Sequence, residues 1–379
     1  RVAAVPWFPD VSTAGATVPA SIFARLREVL ATYQGDVIPL QIGDTHLAPP
    51  QLLHDVEWGV HAMEDLYAYG SPNGWTPLVE AIVDKARRKN RLPATTAANV
   101  QVACGATHAL SCTVQALCNP GDELILLTPH WPLIKGMSHG FGVVPVEVPF
   151  ERLAEAITPR TTAIYYASPN NPDGEMLSRA QLQTIAELAT KHRLWVLADE
   201  VYEDYGYDAE HISIATMIPE RTVTVFSFAK SYAQAGLRVG YALAPEAIAS
   251  TIKKLVNHSV YNVPVAMQRA ALGALANGDQ FLADAKAHYI LARDRARTRL
   301  RAPAAVPPGG SYLWVDFRQW TGDDCMPILE GCAANGVLLA PGSAFGDACH
   351  GFARLCFTGV PPARLDEGID RVNAVLASR

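Results

Sequence analysis

The sequence of 379 residues has few charged side chains and no long run of either sign. Charged residues make up 18% of the chain, and the 31 Lys and Arg are outnumbered by 37 Asp and Glu. No basic run of five residues occurs, so the chain lacks the positively charged patch that is typical of nucleic-acid-binding proteins. We therefore expect no nucleic-acid partner.

Long apolar runs are also missing. Residues 99–121 carry no charge, but Gln, Thr, His, Ser and Asn side chains interrupt them throughout, unlike a membrane span. The N-terminus has no Met and shows no leader in which charged residues precede an apolar stretch, so we expect a signal peptide to be absent or already removed. We therefore expect no membrane partner and a cytoplasmic location.

Patterns of disulfide and metal binding are absent as well. The seven cysteines are an odd number, and none forms a Cys-x-x-Cys pair or alternates with histidine at zinc spacing. The eleven histidines contain no His-Glu-x-x-His cluster. We interpret the cysteines as reduced structural thiols, and we expect no catalytic metal.

The sequence does contain a regular alternation of short apolar runs and amphipathic segments, starting near Leu47. The helical spacing is clearest from Ser178 to His192, where Leu182 and Ile185 share one face. Near-continuous apolar strands suit a sheet covered on both faces, so we predict a doubly wound, mainly parallel α/β sheet with its ligand crevice at the carboxyl ends of the strands. The predicted strands are Val100–Cys104, Glu123–Thr128, Val143–Val148, Thr161–Ala167, Trp195–Ala198, Thr222–Phe228 and Val239–Ala244.

The pattern changes after about Pro245, where long helices precede a second, shorter set of apolar runs. A densely charged helix is predicted from Gln280 to Arg301, and a final helix from Ala363 to Leu376. We therefore expect two domains: a large one at 47–275, and a smaller α+β domain built from 1–46 plus 276–379.

Three motifs occur in order along the presumed sheet. They are Ser168-Pro-Asn-Asn-Pro-Asp-Gly174, Ala198-Asp-Glu-Val-Tyr202, and Ser227-Phe-Ala-Lys230 followed by Arg238 in Ala-Gly-Leu-Arg-Val-Gly-Tyr. A lysine between an apolar strand and a glycine-containing turn is placed for Schiff-base chemistry rather than for solvation. Together the motifs resemble those of fold-type I pyridoxal-phosphate enzymes, specifically the class I/II aminotransferase family, from about Leu40 to Arg354. The resemblance implies a mainly parallel seven-stranded sheet in the large domain.

The resemblance also implies a cofactor, pyridoxal 5'-phosphate, and a set of catalytic residues. Lys230 matches the lysine that carries the cofactor and then moves the substrate proton. Asp199 matches the carboxylate that faces the pyridine nitrogen, and Glu200 beside it is the competing carboxylate. Tyr202 and Asn171 match the groups that contact the ring O3'. Trp131 matches the aromatic residue that stacks on the ring.

The resemblance assigns the phosphate to one group of residues and the substrate to another. Gly105, Ala106 and Thr107 follow a strand and open a helix, which is a favourable anion site, and Ser227 and Arg238 would complete it. Tyr69 matches a residue that reaches the phosphate of the neighbouring subunit, which implies a homodimer with shared active sites. Arg354 matches the arginine that holds the substrate α-carboxylate, with Gly43 in the loop above it and Asn171 beside it.

The same cofactor site serves several reactions, so the motifs do not choose among them. We favour an aminotransferase of EC 2.6.1 type that acts on an amino acid and a 2-oxo acid. A carbon-sulfur β-lyase, or a specialised cyclase or oxidase of secondary metabolism, keeps the same residues and stays open. A catalytically idle ligand-binding regulator is disfavoured because Lys230 is present.

The sequence also indicates a substrate class. Thr107 stands where some relatives have a lysine for a distal carboxylate, which disfavours aspartate. Tyr261, Asn262, Trp131 and Tyr69 suggest an aromatic, neutral pocket for aromatic, large apolar or glutamine-like substrates.

Overall fold

The computed structural model describes residues 12–50 and 68–379. Residues 1–11 belong to the predicted small domain and residues 51–67 to the predicted large domain, and both segments lie outside the described residues. Within the described ranges, no helix is long and apolar enough to cross a membrane.

Twelve strands are present in the described residues, and most begin and end within a residue of the predicted bounds. They are β1 Ile38–Pro39, β2 Val100–Ala103, β3 Glu123–Leu127, β4 Val144–Val148, β5 Thr161–Ala167, β6 Trp195–Asp199, β7 Thr222–Ser227, β8 Gly240–Leu243, β9 Tyr312–Asp316, β10 Val337–Leu338, β11 Ala340–Pro341 and β12 Phe352–Cys356.

Helices cover both faces of the larger sheet and pack on the smaller ones. They are α1 Thr13–Thr17, α2 Ala24–Leu30, α3 Thr76–Arg88, α4 Gly105–Leu117, α5 Pro132–Gly140, α6 Leu153–Ala156, α7 Arg179–His192, α8 Phe228–Ser231, α9 Glu246–Ser259, α10 Val265–Asn277, α11 Asp279–Arg299, α12 Arg318–Thr321, α13 Met326–Ala334 and α14 Pro362–Ala377. Helix α7 starts where the sequence suggests, because Ser178 and Gln181 form a reciprocal capping box at its first turn.

The large sheet has seven strands in the order β2-β8-β7-β6-β5-β3-β4. Strand β8 is antiparallel to both of its neighbours, and the other pairings are parallel. The predicted seven-stranded, mainly parallel α/β sheet is therefore confirmed. Strands β3, β6 and β7 are almost entirely buried, as a sheet covered on both faces requires.

A smaller antiparallel sheet forms from the C-terminal part of the chain in the order β11-β12-β9. The short strand β1 pairs in parallel with β10 nearby, so the N-terminal segment joins the C-terminal part. Apolar side chains of α11, α13 and α14 pack with these strands in one buried cluster. The domain bounds at 47–275 and at 1–46 plus 276–379 stay a prediction.

The topology brings the sequence motifs to one edge of the large sheet. Strands β5, β6 and β7 are parallel neighbours, so their carboxyl ends meet. Asp199 is the last residue of β6, Ser227 is the last of β7, and Asn171 follows β5 by four residues. This edge is where open α/β sheets bind ligands.

Candidate active site

A cavity of about 230 Å³ lies at this edge of the sheet. Every predicted site residue lines it except Gly105, Tyr69, Tyr261 and Asn262. The lining residues are Gly43, Ala106, Thr107, Leu110, Trp131, Ala167, Asn171, Asp199, Val201, Tyr202, Ser227, Ala229, Lys230, Ala235, Arg238, Tyr312 and Arg354.

Lys230 reaches into the cavity from the short helix α8, which begins directly after β7. Its Nζ donates a hydrogen bond to the carbonyl oxygen of Gly43 at 2.5 Å, and no carboxylate in the described ranges pairs with it. Burial lowers the pKa of the lysine, and this effect exceeds the opposing charge of Asp44. A lysine with a lowered pKa is the form that acts as a nucleophile or base near neutral pH.

Asp199 is buried at the end of β6, with only 4% of its surface exposed. Its Oδ2 accepts a hydrogen bond from the Tyr165 hydroxyl at 3.0 Å, and its Oδ1 accepts one from the Val201 backbone N–H at 3.4 Å. Burial raises the pKa of Asp199 to about 6, although the Tyr165 and Val201 hydrogen bonds act against the rise. The described residues provide no cation in direct contact with this carboxylate, so it is suited to a cationic ligand atom.

Tyr202 and Tyr312 join at their hydroxyls beside Lys230. The hydroxyl–hydroxyl hydrogen bond is 2.5 Å long, and the ring of Tyr202 lies 5.9 Å from the lysine nitrogen. Burial raises the pKa of Tyr202 well above its usual value, so its phenol stays protonated and can act as a hydrogen-bond donor. Gly43 passes so close to Tyr312 that a Cβ on this glycine would collide with the Tyr312 hydroxyl.

Arg354 is a buried arginine without a carboxylate partner among the residues described. It lies on β12 with 7% of its surface exposed. Its Nη1 donates to Asn171 Oδ1 at 2.7 Å, its Nη2 donates to the Gln41 carbonyl at 2.6 Å, and its Nε is buried without an acceptor. Because a buried guanidinium is costly without an anion, this site is suited to a substrate carboxylate.

The start of helix α4 forms the other end of the cavity. Cys104 stands at the N-cap and makes no side-chain cap, so the first amides of α4 lack the usual side-chain acceptor. Gly105 has φ of +77°, and a Cβ there would collide with the Arg238 guanidinium. Ser227 uses its oxygen to accept from the Ala229 N–H at 3.1 Å, which leaves its own proton free to donate. Helix α4 begins at Gly105, so Gly105, Ala106 and Thr107 lie in its first turn.

Trp131 lines the cavity at the N-cap of α5, and Thr107 lines it from the first turn of α4. Asp173, in the first motif, bonds within its own turn, with the Asn170 amide at 2.8 Å and the Glu175 N–H at 3.1 Å. It does not line the cavity.

Tyr69 and Tyr261 lie outside the cavity of their own chain. Tyr69 is 83% exposed, and its ring packs on that of Tyr261 with centroids 4.6 Å apart. Asn262 also does not line the cavity. The predicted role of Tyr69 requires a second chain and stays a prediction.

Two tyrosines of the site were not predicted from the sequence. Tyr165 lies inside the predicted apolar strand Thr161–Ala167 and was given no role in the site, although it contacts Asp199. Tyr312 is on β9, far from the motifs along the chain, and bonds Tyr202. A polar hydroxyl inside a fully buried strand was the one available signal for Tyr165, since such a group needs a partner.

The donor set of this cavity fits pyridoxal phosphate. The amine of Lys230 matches the aldehyde, and the carboxylate of Asp199 matches the ring nitrogen. The uncapped start of α4, beside Ser227 and Arg238, matches the phosphate. Each of these groups lacks a partner of opposite charge among the described residues around it.

The seven-stranded sheet and this cavity together define a pyridoxal-phosphate enzyme of fold type I. A family profile described as "Aminotransferase class I and II" matches residues 35–372. The chain therefore belongs to the class I and II aminotransferase family, whose members use pyridoxal phosphate and act on amino acids and 2-oxo acids, and it is an aminotransferase.

Individual relatives agree with this assignment. The chain is 34% identical to a probable aspartate/prephenate aminotransferase of Thermus aquaticus, over 85% of this chain and 87% of the relative. It is 29% identical to aromatic-amino-acid aminotransferase 2 of Thermococcus litoralis, over 94% and 96% of the two chains. Among solved structures, an aspartate aminotransferase single mutant of Thermus thermophilus superposes with a TM-score of 0.91, at 29% identity, over 97% of this chain and all of that chain.

Proposed function

We propose that this aminotransferase takes its amino group from an L-amino acid with an aromatic, large apolar or glutamine-like side chain. The observation that carries the proposal is the set of cations around the cavity. Among the described lining residues these are Lys230, Arg238 and Arg354. The three are already assigned to the cofactor aldehyde, the phosphate and the substrate α-carboxylate, so no fourth cation is left for an acidic side chain.

The catalytic roles proposed for the chain follow from the position of each group. When bound, pyridoxal phosphate supplies an electron-withdrawing ring that lowers the cost of removing the proton from the substrate Cα. Lys230, with its lowered pKa, is the base that takes this proton. Asp199 holds the proton at the ring nitrogen, and Tyr202 donates its phenol proton towards the ring O3', as Asn171 does with its amide.

Arg354 is proposed to orient the substrate through its α-carboxylate. The guanidinium is held by Asn171 and by the Gln41 carbonyl, so its direction is fixed before substrate binds. Its Nε remains without an acceptor and can join Nη1 or Nη2 in a two-pronged pair. Fixing the α-carboxylate places the Cα–H bond towards Lys230.

Aspartate is the second candidate substrate, because several relatives are named as aspartate aminotransferases. Its side-chain carboxylate would need a cation that the described lining residues do not provide. The sequence of residues 51–67 contains no Lys or Arg, so that segment cannot provide it either. An aspartate-specific enzyme would therefore have to take the cation from outside the described lining residues, for example from a second chain.

We also propose that the working unit is a homodimer with shared sites. Tyr69 and Tyr261 form an exposed aromatic pair that does not face the cavity of its own chain. Large apolar side chains exposed next to each other are typical of a surface that another chain covers. Tyr69 would then reach the phosphate end of the partner's cavity.

A substrate panel tests the reaction and its specificity together. Purified holoenzyme is mixed with single amino acids plus 2-oxoglutarate or pyruvate, and the products are identified. Appearance of a new amino acid signals transamination, whereas ammonia and pyruvate released from a cysteine conjugate signal β-elimination, and a cyclic or oxidised product signals the specialised alternatives. A preference of more than about ten-fold in kcat/KM for aspartate over phenylalanine contradicts the proposed specificity.

The lysine assignment has its own test. Lys230→Ala should abolish the pH-sensitive visible absorbance of the holoenzyme and the borohydride-trapped adduct on its peptide. Lys254→Ala is the matched control, because this lysine is exposed on helix α9. Retention of the adduct in the Lys230 variant would show that another amine carries the cofactor.

Shared sites are tested by mixing two inactive variants. If Tyr69 serves the partner's cavity, co-refolding Lys230→Ala with Tyr69→Ala creates one intact site per heterodimer, and activity should exceed that of either homodimer. If Tyr69 acts within its own chain, or has no role, mixing gives no such gain.

A further inference from the structure

Glu200 is a buried carboxylate directly behind Asp199. The two residues are consecutive at the carboxyl end of β6, where neighbouring side chains point to opposite faces of a sheet. Asp199 faces the cavity and Glu200 does not line it, yet Glu200 has 0% of its surface exposed. Its backbone N–H donates to the Val225 carbonyl at 3.0 Å, which holds this end of the strand against β7.

The carboxylate of Glu200 has one charged partner in the described part of the chain, the imidazole of His211. The distance from His211 Nε2 to Glu200 Oε2 is 3.0 Å. The other oxygen, Oε1, is buried without a hydrogen-bond partner, as is the nearby hydroxyl of Tyr166. A buried carboxylate with so few donors depends strongly on its single counter-charge.

His211 is buried as well, with 8% of its side chain exposed. Burial lowers its pKa, but the charge and hydrogen bond of Glu200 outweigh burial, so the pKa is raised overall. Glu203 raises it further and Lys85 lowers it. The charged groups around the imidazole therefore favour its protonated form.

Asp199 is affected by the same arrangement. The charge of Glu200 raises the pKa of Asp199, after the larger effect of burial, whereas the charge of Lys230 lowers it. Burial raises the pKa values of Tyr166 and Tyr241, and the charge of Glu200 adds to this for Tyr166. For Tyr241 the charges of Glu203 and Asp204 come before that of Glu200, and both tyrosines remain neutral. Among these groups, only His211 offers Glu200 a hydrogen-bonded positive charge.

We propose that His211 and Glu200 are a positioning pair for Asp199: the protonated imidazole compensates Glu200, so that two consecutive buried carboxylates can remain ionised together. Like charges this close otherwise force one carboxyl group to keep its proton. The inference rests on the proposed role of Asp199, which needs its negative charge to hold a proton on the ligand.

One side of the pair adjoins a second cavity, which shares no lining residue with the active site. His211 lies on the wall of a second cavity of about 360 Å³, together with Lys89, Arg91 and Arg179. Its Nδ1 has no partner within the described ranges.

The test compares His211→Gln with the double variant His211→Gln/Glu200→Gln. Glutamine keeps a donor near the position of Nε2 but carries no charge. In the single variant one of the two carboxyl groups should take up a proton, seen as a new protonated-carboxyl band in infrared difference spectra of the holoenzyme between pH 8 and pH 6. Where Glu200 instead stays charged, the midpoint of the pH-dependent visible absorbance should rise by about one pH unit.

The double variant separates charge compensation from packing. It removes both charges, so the new band should disappear and the absorbance midpoint should return to the wild-type value. If the imidazole only fills space, both readouts should be altered in the double variant at least as much as in the single variant. That result, or a single variant unchanged in both readouts, overturns the inference.

The infrared readout distinguishes this inference from the proposed reaction, because it counts carboxyl protons and does not depend on which substrate is used. His130→Gln is the matched control for the infrared experiment. His130 is also buried against a glutamate, Glu147, at 3.1 Å, but Lys135 lies 2.6 Å from the same carboxylate and keeps it ionised. Removing that imidazole should add no protonated-carboxyl band.

Discussion

The hydroxyl of Tyr165 donates a hydrogen bond to Asp199 Oδ2 at 3.0 Å, from the neighbouring strand of the large sheet. This contact stabilises the ionised form of the carboxylate and opposes the rise in its pKa that burial causes. Hydrogen bonds to charged groups contribute about 1.5 to 3 kcal/mol, equivalent to roughly one to two pKa units. Tyr165 therefore adjusts the charge on which the proposed role of Asp199 depends.

Replacing Tyr165 with phenylalanine should therefore raise the pKa of Asp199 and lower kcat/KM by roughly ten-fold. The measurement is the pH profile of kcat/KM with the preferred amino acid. Tyr166→Phe is the control in the same strand, because the hydroxyl of Tyr166 has no partner to lose within the described residues. Equal losses in the two variants would show that the effect comes from packing of the strand.

The stability of the cofactor-free protein should depend on pH through Asp199. Its pKa rises on folding from 3.8 to about 6, so the folded state binds more protons than the unfolded state in this window. The free energy of unfolding therefore falls by up to roughly 3 kcal/mol as the pH rises from about 4 to 6. Asp199→Asn removes this loss and should be more stable than wild type at pH 7, with the advantage shrinking towards pH 4.

Urea midpoints of wild type and variant at several pH values measure this difference. Asp316→Asn is a control of opposite sign, because the hydrogen bond from Arg318 lowers the pKa of Asp316. The Asp316→Asn protein should be slightly less stable than wild type at neutral pH, and the difference should be smaller in acid. An Asp199→Asn protein that is less stable than wild type at pH 7 would contradict the burial argument.

The sequence predicted the residues that lie at strand ends close to a recognisable motif. Lys230, Asp199 and Ser227 follow apolar strands directly, and parallel strands bring such ends together whatever the details of packing. Most strand bounds were predicted within a residue for the same reason, because buried strands read as continuous apolar runs.

The contacts that adjust these groups could not be predicted in the same way. Tyr312 meets Tyr202 across 110 residues of sequence, and His211 meets Glu200 from a loop with no regular pattern. Such pairs depend on the packing of one element against another, and hydrophobic periodicity does not predict this packing. The exposure of Tyr69 likewise emerges only from the folded chain.

Arg354→Lys should raise KM for both the amino acid and the 2-oxo acid by about ten-fold to one hundred-fold, with a smaller effect on kcat. Lysine keeps the charge but loses the planar fork that Asn171 and the Gln41 carbonyl hold in place. Steady-state kinetics with both substrates measure the change. Arg318→Lys is the control, since this arginine pairs with Asp316 at 2.7 Å on a half-exposed surface. A KM unaffected by Arg354→Lys would remove this residue from the substrate site.

Gly43→Ala should weaken substrate binding through a contact that can be relieved by a second substitution. The new Cβ would collide with the Tyr312 hydroxyl, and the backbone carbonyl of Gly43 that accepts from Lys230 would have to shift with it. Since the clash is mainly with one oxygen atom, Tyr312→Phe should recover part of the loss in the double variant. We expect KM to rise about ten-fold in Gly43→Ala and to fall again in Gly43→Ala/Tyr312→Phe, after correction for Tyr312→Phe alone. Purely additive effects would mean that the loop moves away from Tyr312, so that steric contact with its hydroxyl does not limit substrate binding.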